Sequence, residues 1–132
     1  MANDKSAARP LSPHLQIYRP MLTMMMSIAH RLTGAALYFG SLLMVWWLTA
    51  AATGPDYFAF VQGIFASWLG QLMLFGFTWA LVHHLIGGIR HLIWDTGRGF
   101  DLPTVERMAQ LNLAGSIIIT IVLWVVAYLV KG

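Results

Sequence analysis

The amino-acid sequence predicts an all-α membrane protein built on three transmembrane helices. Three observations lead there. The 132 residues are 58% hydrophobic and only 10% charged, with a mean hydropathy of +0.68. Soluble domains carry about a quarter charged residues, so this chain has too few charges to cover a water-exposed surface. Three apolar stretches follow one another along the sequence, each about the twenty residues that cross a bilayer core. The basic residues, finally, fall almost entirely on one side of those stretches.

Residues 1–20 form a polar N-terminal segment. Pro10, Pro13 and Pro20 oppose a long helix there. The segment has no apolar run followed by small residues, as a cleavable signal would, and no long Arg/Ser-rich transit region. That favours a bacterial chain over an organellar precursor. Residues 21–132 form the transmembrane domain, with helices expected at about 21–53, 65–95 and 108–130.

The first span builds from Met21 and is free of charge from Leu32 to Thr53, where Gly54-Pro55-Asp56 ends it. The second runs from about Phe65 to Ile89 and carries His83 and His84. The third runs from Leu113 to Val130, with Lys131 at its end. All three are apolar nearly all round, unlike the amphipathic helices of a soluble core. Trp46, Trp47, Trp68, Trp94 and Trp124 sit mostly towards span ends, as interfacial anchors do. Trp79 lies mid-span and reads as a packing residue.

Orientation follows from Lys and Arg. The N-terminal side holds Lys5, Arg9, Arg19 and Arg31, and the loop between the second and third spans holds Arg90, Arg98 and Arg107. The loop from Thr53 to Ala66 has none, and the C-terminal tail has only Lys131. Basic residues mark the cytoplasmic side. The N-terminus is therefore expected in the cytoplasm and the C-terminus in the periplasm, in a bacterial inner membrane.

Composition also excludes. The chain has no cysteine, which removes disulfides, covalently attached c-type haem and cysteine-held iron–sulfur clusters. No basic run is interleaved with exposed aromatics, so no nucleic-acid partner is expected. A cofactor held by histidine remains open.

Polar residues inside such spans need a reason, because a full charge at mid-depth costs about 2.5–3.5 kcal/mol. Ser27, His30, Arg31 and Gly34 fall at i, i+3, i+4 and i+7, which predicts one shared helix face. In the second span His84, Gly87, Gly88 and His91 repeat that spacing, followed by Asp95. His84 lies roughly 9 Å inside the end marked by Arg90, at 1.5 Å per residue. Both clusters belong to the same membrane end, so the two spans can pool them into one pocket.

A neutral imidazole at the depth of His84 suits a haem iron, and the nearby glycines would let a flat ring lie against the helix. A helix–helix hydrogen bond explains the same residue equally well. His83 points about 100° away from His84, and the structural explanation is preferred for it. His84 and His91 lie two turns apart, about 10 Å, so they cannot share one iron. A second axial ligand must come from His30 or from another chain. His30 and Arg31 can neutralise haem propionates or hydrogen-bond a quinone carbonyl, and Ser27 adds a donor beside Arg31. A snorkelling arginine with a bridging histidine is the alternative. Asp95 is expected to be a solvated partner of Arg90 or Arg98, with a proton-relay role as the alternative.

Two stretches together resemble one family. Arg9-Pro10-Leu11, Leu15 and Ser27-Ile28-Ala29-His30-Arg31-Leu32-Thr33-Gly34 resemble the N-terminal signature of the cytochrome b556 subunit of succinate dehydrogenase. The stretch from His84 through Gly88, Arg90, His91, Trp94 and Asp95 to Gly97 resembles that family's second signature. The resemblance implies that the three spans form part of a heteromeric helix bundle, a cytochrome b anchor domain in respiratory complex II. It implies haem b with His84 as an axial ligand, the other ligand coming from a second small membrane anchor subunit. It implies ubiquinone beside Ser27 and Arg31, next to the iron–sulfur subunit. His30 and Arg31 match positions near the haem propionates, and His91 and Asp95 match polar positions close by. A flavoprotein subunit would oxidise succinate in the tricarboxylic acid cycle, so no succinate chemistry is expected on this chain.

Three rivals stand beside that reading. One is the anchor subunit of a fumarate reductase working in the reverse direction. Another is a haem-free structural anchor. The third, an ion-conducting subunit, ranks low, because the third span offers only Asn112, Ser116, Thr120 and Tyr128 as polar groups.

Overall fold

The computed structural model of the chain describes residues 10, 12 and 14–131. These residues form five helices and no strand: α1 (His14–Ile17), α2 (Leu22–Thr53), α3 (Pro55–Ala66), α4 (Trp68–Asp95) and α5 (Leu102–Lys131). Lys5 and Arg9, which helped set the expected orientation, lie outside the described residues.

Helices α2, α4 and α5 are each long and apolar enough to cross a membrane. At 28 to 32 residues they reach beyond the hydrocarbon core, which is about 30 Å thick. Their ends therefore project into the headgroup layers. Helix α4 is central and packs on both α2 and α5. In its apolar span 22% of residues are buried, against 6% in α2 and 11% in α5. The outward faces carry residues such as Leu42, Ile118 and Val122, all exposed. Lipid or a partner helix is the medium those faces suit.

Helices α4 and α5 meet along small and polar residues. Ala109, Asn112, Ser116 and Thr120 are the buried residues of α5, spaced to form one stripe. Trp124 donates from Nε1 to the Thr78 hydroxyl at 3.2 Å. Small side chains let the helix backbones come close where no hydrophobic force drives association.

Residues 55–66, expected as a loop, form α3 instead. Pro55 occupies the first helical turn, where its missing N–H costs nothing. Helix α3 folds back so that Val61 and Phe65 close over Ala50, flanked by Trp46, Trp47 and Leu74. Trp46 donates to the Tyr57 hydroxyl at 2.9 Å and Trp47 to the Gln62 carbonyl at 2.8 Å. Ser67 then ends α3 and caps α4, its Oγ accepting the Gly70 N–H at 3.1 Å.

Helix α5 also begins earlier than expected, at Leu102. Asp101 fixes its start: one carboxylate oxygen accepts the Thr104 N–H at 3.1 Å and the Thr104 hydroxyl at 2.6 Å. The connection from α4 is tight because Gly97 and Gly99 take φ of +77° and +76°, a region that side chains disfavour.

Candidate functional site

Helices α2 and α4 run antiparallel, so the N-terminal third of one meets the C-terminal third of the other. Their contact brings Gly40 to Phe77, Gly34 to His84 and Gly87 to His30 in turn. Of the two clusters expected to pool at one membrane end, the structure brings His30, His84 and His91 together. Between the two helices His30 and His84 stack with centroids 3.9 Å apart and planes 5° from parallel. His91 lies against the other side of the group, 4.9 Å from His30 at 26°.

Two glycines make the stack possible. A Cβ on Gly34 would stand 3.0 Å from His84 Cε1, and one on Gly87 would stand 2.5 Å from His30 Nδ1. Each helix therefore seats its histidine in a notch on the other. A flat ring does lie on Gly87, that of the His30 imidazole, whereas a Cβ added on Gly88 would meet nothing within 4 Å.

The polar atoms of His84 divide cleanly. Its Nδ1 is 3.1 Å from the His30 carbonyl oxygen and 3.3 Å from the Thr33 hydroxyl. The carbonyl can only accept, so Nδ1 carries the proton and donates to it. Nε2 is then the bare nitrogen, and it has no hydrogen-bond partner among the described residues. A neutral imidazole with Nδ1 anchored on a carbonyl and Nε2 free is the usual form of a metal-ligating histidine.

Parallel stacking limits what the two rings can do together. Imidazole lone pairs lie in the ring plane, so two rings face to face cannot point them at one iron from opposite sides. Stacked as they are here, His30 could not serve opposite His84 on one metal ion, the first of the two options the spacing allowed. His30 Nδ1 is itself buried without a hydrogen-bond partner among the described residues. His91 commits its Nδ1 to the Gly87 carbonyl of its own helix at 2.7 Å.

The remaining expected residues sit apart from the stack. Ser27 and Arg31 are exposed and make no hydrogen bond among the described residues. The shared face expected for residues 27, 30, 31 and 34 is thus split. His30 and Gly34 meet α4, while Ser27 and Arg31 open outward at the same end of the chain. Asp95 is exposed as well, and among the described residues it pairs with neither Arg90 nor Arg98.

Arg90 explains part of that. It is only 4% exposed, with its Cζ 5.1 Å from the Trp94 ring centroid. Its Nε and Nη1 have no hydrogen-bond partner among the described residues. His83 is fully buried on the α5 side, with Nδ1 3.1 Å from the Ser116 hydroxyl and its ring 4.9 Å from Trp79. It behaves as the structural explanation anticipated. Sequence reasoning missed Thr33 and the inward turn of Arg90. Thr33 stood inside the first motif, but a β-branched hydroxyl in an apolar helix gives no separate signal.

Outside the membrane, the Asp101 carboxyl is held below its ordinary range by the Thr104 hydroxyl and backbone N–H that it accepts.

Comparison with known proteins follows the same lines. The family model described as "Succinate dehydrogenase/Fumarate reductase transmembrane subunit" matches residues 5–123, which include both histidine motifs. This chain belongs to that family. The succinate dehydrogenase cytochrome b556 subunit of Paracoccus denitrificans is 42% identical to it, over 97% of this chain and 98% of that one. The subunit of the same name from Rickettsia conorii is 37% identical, over 89% and 91%. The mitochondrial cytochrome b560 subunit of Sus scrofa is 39% identical over 75% of this chain and 60% of its own. The family is one of membrane subunits, in keeping with the three apolar spans, and the motif resemblance pointed to it.

Proposed function

We propose that this chain is the membrane-anchor cytochrome b subunit of a succinate dehydrogenase, holding haem b and forming part of a ubiquinone site. The observation that carries the reading is the state of His84. Its Nδ1 is anchored and its ring is locked between a glycine notch and a stacked imidazole, while Nε2 stays free. Among the described residues no helix–helix hydrogen bond through Nε2 competes with a ligand role.

His84 would hold haem b from this chain, and a second small membrane anchor subunit would supply the other ligand. When bound, haem b supplies a one-electron acceptor close to the quinone. His30 and Arg31 lie at the right end of the bundle for the propionates. Ser27 and Arg31, open to a partner surface, orient ubiquinone: the hydroxyl donates to a carbonyl oxygen and the guanidinium stabilises negative charge developing there. His91 and Asp95 complete the polar surroundings. The iron–sulfur subunit delivers electrons from succinate, oxidised on the flavoprotein subunit, and docks on the cytoplasmic face of a bacterial inner membrane.

A reduced-minus-oxidised spectrum of the purified complex tests this. The wild type is expected to show b-type bands that are lost or strongly shifted in His84→Ala. Absence of bands in the wild type would leave a haem-free anchor, and an unchanged spectrum in the variant would remove His84 as ligand. Rates with succinate and with quinol set the working direction against a fumarate reductase.

A further inference from the structure

We infer that Thr33 is a positioning residue for His84: its hydroxyl shares the Nδ1 proton with the His30 carbonyl and so strengthens Nε2 as a donor to iron. The inference rests on the haem reading above and deepens it.

Thr33 is 3% exposed, inside the α2–α4 contact. Its Oγ1 is 2.8 Å from the Ala29 carbonyl oxygen, 3.0 Å from that of His30 and 3.3 Å from His84 Nδ1. A threonine in a helix has two χ1 wells because its hydroxyl can reach back to the preceding turn. Here it reaches both carbonyls of that turn, which fixes the rotamer. The hydroxyl has one proton and two lone pairs. The shorter contact assigns the proton to Ala29, and a lone pair then faces the imidazole. His84 Nδ1–H therefore lies between two acceptors, a carbonyl at 3.1 Å and a hydroxyl at 3.3 Å.

Two acceptors pull the imidazole further towards imidazolate than one does. The partner bonded to the far nitrogen of a ligating histidine sets its basicity and orientation. A more basic Nε2 favours ferric over ferrous iron, so the hydroxyl lowers the haem potential. The ring cannot tilt to make up for a lost hydroxyl. The Gly34 notch closes on its Cε1 edge and His30 covers its face. Burial keeps bulk water from taking the vacated place.

The experiment compares purified wild-type, Thr33→Val and Thr33→Ser complexes by potentiometric titration of the b-type absorbance and by EPR of the ferric haem. Valine keeps the shape and removes the hydroxyl; serine keeps the hydroxyl. The expected result is a more positive midpoint and an altered highest g value for Thr33→Val, with Thr33→Ser close to wild type. Haem lost from the valine variant alone would also support the role. A wild-type midpoint in Thr33→Val, a shift to more negative potential, or equal haem loss in both variants would overturn it. Absence of b-type bands from the wild-type complex is a different failure, because it removes the ligand role of His84 itself.

Discussion

At the scale of single residues, the reciprocal seating of two histidines in two glycine notches decides what each ring can do. Placing a methyl group on Gly87 would bring it within 2.5 Å of His30 Nδ1 and 3.1 Å of Cε1. The ring has to swing out, and overpacking of this kind costs about 1–3 kcal/mol. Gly87→Ala is therefore expected to lower the thermal midpoint of the complex and to weaken the b-type spectrum by breaking the stack on His84. Gly88→Ala, where the added carbon meets nothing within 4 Å, is expected to leave both unchanged. Equal effects of the two would show that helix propensity, not the notch, is at issue. The residue types at this site were legible, because histidines spaced by turns of a helix in an apolar stretch announce themselves. Their partners were not. That the His30 ring fills the Gly87 notch depends on the register of two helices distant in sequence. Arg90 shows the same limit: its position marks a membrane end, but only the packed structure turns it over Trp94.

At the scale of elements, hydropathy found the three spans and passed over what caps them. Helix α3 was hidden because Gly54-Pro55 reads as a terminator, and the following residues are apolar without a clear period. Its fold-back on Ala50 is a tertiary choice. The first turns of α5 are polar, so no hydropathy window extends to them, yet Asp101 starts the helix there. The sign of its pH dependence follows from its partners. Thr104 stabilises the charged carboxylate and lowers its pKa. The cap is therefore fully held at neutral pH and lost as pH falls through that lowered value, below the usual carboxylate range. Asp101→Ala is expected to speed amide hydrogen exchange at Thr104 and Val105 near neutral pH, a difference from wild type that shrinks in acid. A difference independent of pH would mean that the carboxylate is not the cap. On the opposite side of α4, Ser116→Ala removes the partner of His83 Nδ1. It is expected to cost about 0.6 kcal/mol, as interhelical hydrogen bonds in membranes average. The b-type spectrum should be unaffected.

At the scale of the whole molecule, three helices that bury so little of one another need lipid and further subunits around them. Which way the bundle faces decides whether its histidine end meets the electron donor. Ser27, Arg31, His91 and Asp95 share that end with Arg98 and Arg107, whereas α3 and Lys131 lie at the other. Basic residues are retained on the cytoplasmic side during insertion, so the histidine end is expected to face inward and α3 the periplasm. The absence of native cysteine makes this directly measurable with single cysteines at exposed positions. Asp56→Cys, in the first turn of α3, is expected to react with a membrane-impermeant maleimide in intact cells. Thr96→Cys, in the loop after α4, is expected to react only once the inner membrane is opened. The reverse pattern would put Ser27, Arg31 and His84 at the periplasmic face, out of reach of a cytoplasmic dehydrogenase. The proposed electron route would then have no donor.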